Sequence, residues 1–114
     1  MISKSECKIF LNGDKYWYLN GLYHRVDGPA VEYANGDKRW FLNGQLHRKD
    51  GPAIEYSDGS KYWFLNGQYH RPDGPAIEFS NGHTRYWIYD KYIPQLNNKR
   101  IYGKENLQKF LLLI

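Results

Sequence analysis

The sequence predicts an all-β fold: an elongated, single-layer antiparallel meander of β-hairpin repeats with a short C-terminal capping helix. Three observations carry this prediction. The 114-residue chain repeats itself every 23 residues, so that "LNGLYHRVDGPAVEYANG" from Leu19 returns with few changes from Leu42 and from Leu65. Asn-Gly pairs stand between runs of strand-forming residues, which is a strong signal for tight hairpins. Aromatic residues make up 18% of the chain, a proportion typical of strand-rich proteins.

The repeat divides the chain into a repeat domain, residues 1–93, and a cap, residues 94–114. Full units span about 12–34, 35–57 and 58–80, a partial unit covers 81–93, and the segment 8–11 resembles the closing strand of an earlier unit. Trp87 follows the period of the other tryptophans one residue late. We interpret this as a drift of the pattern into the cap.

The C-terminal residues predict a helix over about 104–113. Leu107, Phe110, Leu111 and Ile114 recur at helical spacing, and Gly103 stands just before them. We expect this helix to cover the last edge of the sheet, because open strand edges invite aggregation. A frayed tail is the alternative.

Two turns and one bend organise each unit. Asn35-Gly36 and Asn43-Gly44 are the hairpin turns, and Asp50-Gly51-Pro52 bends the chain between strands, since Pro cannot continue a central ladder. If both turns are two-residue loops, these residues lie opposite each other: Val31 and Trp40, Glu32 and Arg39, Tyr33 and Lys38, Phe41 and Leu46, Trp40 and His47.

This register sorts the sheet into two faces, because side chains alternate along a strand. We expect one face to be the packed side; it carries Val31, Tyr33, Trp40, Leu42 and His47. We expect the other to be the binding side; it carries Glu32, Arg39, Phe41, Leu46 and Arg48.

The charge distribution of the chain limits which classes of function fit it. The formal net charge is +4, yet residues 1–80 hold ten basic and ten acidic side chains, whereas residues 81–114 hold six and two. A nucleic-acid binder normally carries positive charge along its binding surface. Nucleic-acid binding is therefore retained as a third hypothesis for the cap alone, through Lys91, Lys99, Arg100, Lys104 and Lys109.

The N-terminal residues and the cysteine count predict a soluble, cytoplasmic protein. Cys7 is the single cysteine, so no intramolecular disulfide can form, and a reducing compartment is expected. The start "MISKSECKIFLNGDK" lacks the apolar core of a secretory signal. The longest apolar run, "FLLLI", is too short to span a bilayer.

The repeated histidines are candidates for a metal site or for a structural role. Adjacent strands lie about 4.8 Å apart, so equivalent histidines two strands apart cannot share one zinc ion, whose bonds to nitrogen are about 2.1 Å long. The structural alternative stacks each ring on the tryptophan across the strand, with one nitrogen bonded to the backbone. The residues concerned are His24, His47 and His70.

The repeated Arg and Asp residues also leave two interpretations open. The planar guanidinium of Arg suits a phosphate or another anion. Alternatively, each Arg bonds the Asp-Gly-Pro turn of its own or the next unit and holds successive turns in register. The pairs are Arg25 with Asp27, Arg48 with Asp50, and Arg71 with Asp73.

Catalysis finds little support in the sequence. Paired carboxylates can hydrolyse glycosides, but we expect Glu32, Glu55 and Glu78 to face Arg39, Tyr62 and Arg85 in cross-strand pairs. Nothing brings Cys7 to His24 as a nucleophile pair. An active site needs a unique constellation, whereas residues that recur in every unit serve folding and stacking. We therefore expect no enzyme, no cofactor and no metal.

The chain resembles the MORN-type repeat family over about residues 8–93. Those repeats are also 23 residues long, and "GDKYWYLNGLYHRVDGPAVEYAN" resembles their Gly-x-x-Tyr start, central Asn-Gly and later Gly before an aromatic strand. The usual "YxGxW" is replaced by "YWYLNG", and "HRxDGPA" is a variant signature, similar to that of "NGxxHRxDGPA" repeat proteins of bacteria, phages and giant viruses. The resemblance implies an elongated single-layer sheet and a binding role, in some members through self-association or lipid binding. The neutral repeat body gives lipid binding little support.

The leading hypothesis is a non-enzymatic binding module that engages a partner protein through one sheet face. The second is an inhibitor that sequesters a nucleotide-type signal or another small anion, or blocks a defence enzyme, because arginines beside aromatics suit a phosphate and a stacked base. A homodimer through the strand near 8–11 or the apolar tail is also expected. The candidate binding residues are Arg25, Arg48, Arg71, Tyr23, Tyr69, Arg39, Phe41 and Phe64. Structural roles are expected for Trp17, Trp40, Trp63, His24, His47, His70, Asp27, Asp50 and Asp73.

Overall fold

The computed structural model describes residues 4–114, and it is an antiparallel meander of short β-hairpins that ends in one α-helix, as the sequence predicts. The molecule measures 48 by 34 by 18 Å, which fits an elongated single layer. Its strands are β1 (Glu6–Ile9), β2 (Lys15–Leu19), β3 (Leu22–Tyr23), β4 (Val31–Glu32), β5 (Lys38–Arg39), β6 (Phe41–Leu42), β7 (Gln45–Leu46), β8 (Ile54–Glu55), β9 (Lys61–Tyr62), β10 (Phe64–Leu65), β11 (Gln68–Tyr69), β12 (Ile77–Glu78), β13 (Thr84–Arg85), β14 (Trp87–Ile88) and β15 (Lys91–Tyr92). A 3-10 helix, Pro94–Leu96, and helix α1, Lys104–Leu111, follow them.

The main sheet crosses the molecule in the order β1-β2-β4-β5-β8-β9-β12-β13, with β3 pairing beside β2. Three separate two-stranded hairpins, β6-β7, β10-β11 and β14-β15, repeat along its side. Within residues 4–114, no helix is long and apolar enough to cross a membrane.

The Asn43-Gly44 turn is the two-residue loop that the sequence predicts. Phe41 pairs with Leu46, and Leu42 pairs with Gln45. Both turn residues have positive φ, 49° at Asn43 and 80° at Gly44. This is the type I′ geometry whose twist matches that of the flanking strands.

The prediction for the Asn35-Gly36 turn is wrong by one residue. Val31 pairs with Arg39 rather than with Trp40, and the Tyr33 N–H donates to the Asp37 carbonyl over 2.9 Å, which leaves a three-residue loop. The Asp37 N–H also donates to Asn35 Oδ1 at 2.9 Å. This local bond to the side chain favours the longer turn, which ends in a glycine at positive φ.

A shift of one residue moves a strand's side chains to the other face of the sheet, so the predicted faces are also wrong. One face, here the tyrosine face, carries Val31 with Arg39, whose guanidinium lies 5.3 Å from the Tyr33 ring centre. The other, here the tryptophan face, carries Trp17, Trp40 and Trp63 with the repeated arginines and the glutamates. Trp87 lies on the tyrosine face, between Tyr69 and Tyr92. The predicted partners of the glutamates are wrong for the same reason: Glu32 lies opposite Lys15 and Lys38, Glu55 opposite Lys38 and Lys61, and Glu78 opposite Lys61 and Thr84.

Small residues and backbone bonds hold the two ends of each unit together. Ala30, Ala53 and Ala76 are fully buried, and the Trp40 N–H donates to the Ala53 carbonyl over 2.7 Å. The Asp37 carboxylate accepts the Ser57 N–H, near the other end of the same unit, over 2.7 Å. This backbone bond is the main cause that lowers the pKa of Asp37.

The repeat continues into the cap without a drift, so that interpretation of Trp87 is wrong. The Ile93 N–H donates to the Tyr86 carbonyl over 2.9 Å, just as the His47 N–H donates to the Trp40 carbonyl over 3.0 Å. Tyr86 therefore stands in the position of the repeated tryptophan, and Ile93 stands in the position of the histidine. Trp87 is instead the equivalent of Phe64, because Trp87 pairs with Tyr92 just as Phe64 pairs with Tyr69 in the preceding unit.

Helix α1 forms as predicted but does not cover the last strand edge. That edge is covered by the preceding segment: the Asn98 N–H donates to the Thr84 carbonyl over 3.0 Å, and Thr84 Oγ1 donates to the Lys99 carbonyl over 2.7 Å. The helix instead contributes to a separate apolar cluster on the tryptophan face, formed by Tyr86, Ile93, Leu96, Ile101 and Leu107.

Candidate functional site

Each repeated arginine lies flat on the tryptophan of its own unit. The Arg48 guanidinium carbon is 3.9 Å from the Trp40 ring centre. Arg48 Nε donates to Asp50 Oδ1 at 3.2 Å, and Nη1 donates to the Pro52 carbonyl at 3.0 Å. Arg25 and Arg71 make the same contacts in their units. The "HRxDGP" turn is therefore closed from within by its arginine, and the Arg–Asp pair lies inside one unit.

The glycine of the turn leaves room for this guanidinium. A Cβ placed on Gly51 would lie 2.9 Å from the Arg48 guanidinium carbon. The same Cβ on Gly28 or Gly74 would lie 3.0 or 2.9 Å from its own arginine. The residue is glycine because its neighbour stacks against it, and the conformational freedom of glycine is not needed here.

Histidine, not arginine, links one unit to the next. His24 Nδ1 accepts the Asn43 N–H over 2.9 Å, His47 Nδ1 accepts the Asn66 N–H over 2.9 Å, and His70 Nδ1 accepts the Tyr89 N–H over 3.1 Å. The expected bond from one ring nitrogen to the backbone is thus present. The expected stack on tryptophan is not, because the arginine occupies that ring; His70 stacks instead on Tyr89, with 3.8 Å between ring centres.

Protonation of His70 is expected to destabilise the fold. Burial lowers the pKa of His70 below its ordinary value of 6.5, and the imidazolium cannot accept the Tyr89 N–H. The unfolded chain therefore takes up this proton first as pH falls below about 6.5, so stability is lost from there down to the lowered pKa. We expect His70→Gln, which keeps an acceptor but does not titrate, to show a shallower loss in urea unfolding between pH 8 and 5. Equal pH slopes for the two proteins would contradict this assignment.

An open groove lies between two successive turns on the tryptophan face. It has a volume of about 760 Å³, and its walls are the turns at residues 25–29 and 47–50. Trp40 and Leu42 supply apolar surface between them. This surface, here the first groove, is large enough for several side chains of a ligand.

The predicted binding residues separate onto the two faces. Arg25, Arg48 and Arg71 lie on the tryptophan face. The other candidates lie among the rings of the tyrosine face: Tyr23 contacts Phe41 at 5.2 Å between ring centres, Phe64 contacts Tyr69 at 4.2 Å, and Arg39 lies over Tyr33 and Tyr56. Arg39 Nε is buried without a hydrogen-bond partner among the described residues.

The structure does not bring the repeated arginines to Tyr23 or Tyr69, so the constellation predicted for a phosphate with a stacked base is not formed. Arg48 and Arg71 do approach a glutamate of the same face, with 3.7 Å from Arg48 Nη1 to Glu55 Oε1 and 3.6 Å from Arg71 Nη1 to Glu78 Oε1. Within residues 4–114, no three His, Cys, Asp or Glu side chains are grouped so that they could hold a metal ion.

Sequence reasoning missed Tyr102, which covers the last of the three arginines. The Tyr102 ring centre lies 5.5 Å from the Arg71 guanidinium, and its hydroxyl donates to Glu78 Oε1 over 2.8 Å. Burial, and then the bond to Glu78, raise the pKa of Tyr102. The next residue, Gly103, donates its N–H to the Asp73 carbonyl over 2.8 Å.

The chain fills the last groove of its tryptophan face with its own helix. By the 23-residue repeat, Tyr86, Ile88 and Ile93 are the equivalents, two units later, of Trp40, Leu42 and His47. These three equivalents belong to the apolar cluster in which Leu107 is buried and against which Leu111 packs. One feature of the sequence indicates this filling: the final unit has the apolar Ile93 where the earlier units have a polar histidine.

The fold and the grooves define a β-hairpin repeat protein whose turns form grooves along one face of a sheet. No protein-family model matches the chain, and neither the curated proteins nor the solved structures contain a match to it.

Proposed function

We propose that the protein is a non-enzymatic binding module that engages a partner protein through the tryptophan face. The observation that carries this proposal is the first groove, an open surface whose counterpart at the end of the repeat is filled by protein. The single cysteine suits a reducing compartment, and we place the module in the cytoplasm.

The arginine turns provide a rigid frame for this surface. Each guanidinium is held by a ring, a carboxylate and a carbonyl, so the turns that form the walls of the groove are fixed before a partner arrives. A site whose side chains are already ordered loses less conformational entropy on binding. Two of the five N–H donors of each arginine are used inside the fold, by the Asp carboxylate and the Pro carbonyl. Because that carboxylate already offsets the guanidinium charge, a partner bound by shape and apolar contact is favoured over a small anion held by the guanidinium groups.

Comparison of equivalent side chains shows how much surface the first groove leaves open. The Asp27 side chain is 85% exposed, whereas its equivalent Asp73, beside the filled groove, is 57% exposed. The Arg25 side chain is 22% exposed and that of Arg71 is 15% exposed. The side chains that are exposed in the first groove, but whose equivalents in the last unit are covered, are the ones that a partner would contact.

The positions that vary between units mark where specificity would arise. Val26 and Lys49 hold the same place in successive turns, and both line the first groove. Val26 is 84% exposed and touches little of its own chain. Neither side chain closes a turn, so both are free to contact a partner.

Substitution of Lys49 by Glu is expected to weaken partner retention without unfolding the chain. In affinity purification from the cells of origin, followed by quantitative mass spectrometry, we expect Lys49→Glu to lower retention of the specific partner about tenfold, because a partner packed over the first groove would bury the new carboxylate without a counter-charge. Lys91→Glu, an equal charge change on the exposed strand β15, is the control and should retain the partner. Equal retention by both variants, or recovery of small molecules or nucleic acid alone, would contradict the proposal.

A further inference from the structure

We propose that the partner presents an amphipathic helix preceded by an aromatic residue, bound in the first groove as helix α1 is bound in the last one. This inference rests on the proposed function and specifies its ligand. It follows from repeat equivalence: a surface built by the equivalent positions, two units later, already holds a segment of known sequence.

The occupied groove shows which apolar contacts the ligand makes. Helix α1 turns Leu107 toward Tyr86 and Ile93, and Leu107 is only 1% exposed. Leu111, one turn later, packs against the same cluster. Residues four apart lie on one side of a helix. The ligand for the first groove therefore needs two large apolar residues at this spacing, to contact Trp40 and Leu42.

The segment before α1 shows which polar contacts accompany them. The Tyr102 ring lies over the Arg71 guanidinium, and its hydroxyl donates to Glu78 Oε1. The Gly103 N–H donates to the Asp73 carbonyl. Two periods earlier, the corresponding groups are Arg25, Glu32 and the carbonyl of Asp27. We infer that a partner tyrosine stacks on the outer side of the Arg25 guanidinium and donates its hydroxyl to Glu32.

The first groove also differs from the last one in ways that set its ligand apart. His47 replaces Ile93, and Lys49 replaces Gln95 in the second wall. His47 uses Nδ1 as an acceptor, so in its neutral form the proton is on Nε2, which can donate to a ligand. A helix for this groove would carry an acceptor near His47 and an acidic residue near Lys49.

The test uses a synthetic peptide with the sequence of residues 99–113 as the probe, titrated into the full chain and followed by NMR. We expect saturable shifts of the Trp40 indole N–H, while the Trp87 indole on the tyrosine face stays unchanged as an internal control. Unchanged signals of Leu107 in the chain show that the peptide does not simply displace α1. The peptide with L107A and L111A should bind at least tenfold more weakly, because both apolar contacts are lost.

A second comparison tests the tyrosine contact. The peptide with Y102F lacks the hydroxyl and should bind about fivefold more weakly than the parent peptide, since a bond to a carboxylate is lost. Glu32→Gln in the chain should weaken the parent peptide but not the Y102F peptide. No saturable shift at Trp40, or equal binding of the parent and L107A/L111A peptides, would overturn the helix proposal. In that case the loss of partner retention by Lys49→Glu would still support the proposed function. Failure of the helix proposal and failure of the proposed function are therefore distinguishable.

Discussion

Leu107→Ala is expected to lower the free energy of unfolding by about 3 kcal/mol, within the range for a leucine removed from a packed core. Leu107 is 1% exposed and lies in the apolar cluster of the tryptophan face together with Tyr86 and Ile93. Tyr86, Ile93 and the other side chains of that cluster would line the cavity left behind. The loss should also open the last groove to solvent.

Urea unfolding followed by tryptophan fluorescence measures this effect. Leu113→Ala is the matched control, because Leu113 is 80% exposed and follows α1, and it should change stability by no more than about 0.5 kcal/mol. A cost below about 1 kcal/mol for Leu107→Ala would mean that the cap is not an integral part of the fold.

Arg48→Ala is expected to cost about 2 kcal/mol, because it removes a cation–π stack and leaves the Pro52 carbonyl without its donor. Lysine should restore little of this, since it lacks the planar fork that bonds Asp50 and Pro52 at once. Lys49→Ala, at the exposed neighbouring position, is the control and should be nearly neutral.

The glycine beside Arg48 allows a sharper version of this prediction. Gly51→Ala should destabilise the parent protein by about 1 to 2 kcal/mol, because its Cβ would lie 2.9 Å from the Arg48 guanidinium carbon. In the Arg48→Ala background there is no guanidinium for the new Cβ to meet. Gly51→Ala should then be neutral, or should stabilise the protein by up to about 1 kcal/mol, because alanine lowers the conformational entropy of the unfolded chain. Equal effects in the two backgrounds would show that the guanidinium does not occupy the space over Gly51.

Much of the fold could be predicted from the sequence because its turn signals are local. The period, the Asn43-Gly44 hairpin and the helical spacing of Leu107 and Leu111 each depend on residues close together in the chain. The Asn35-Gly36 loop could not be predicted in the same way. Its length depends on the bond between Asn35 and Asp37, which competes with a two-residue turn of the same sequence type. The one-residue error moved the side chains before this turn to the opposite face from the one predicted, relative to Trp40 and Leu42.

The site was less accessible to sequence reasoning, since it depends on which long side chain reaches which ring. His47 and Arg48 are neighbours in the sequence, and either could be expected to contact Trp40. In the structure Arg48 lies between Trp40 and Gly51, while His47 Nδ1 accepts the Asn66 N–H of the next unit. The role of Tyr102 depends on contacts with residues far earlier in the chain, such as Glu78. Its signal was indirect, in the change from His to Ile93.

We propose that the partner binds the tryptophan face and not the tyrosine face. Site-specific photo-crosslinking tests it most directly, with benzoylphenylalanine placed at Val26 on the rim of the first groove or at Tyr92 on the tyrosine face. Both positions are exposed, at 84% and 38%. At position 92 the probe keeps an aromatic ring beside Trp87 and loses only the hydroxyl bond to Asn97. We expect the partner to be cross-linked from position 26 and not from position 92. Cross-linking from position 92 alone would contradict the account.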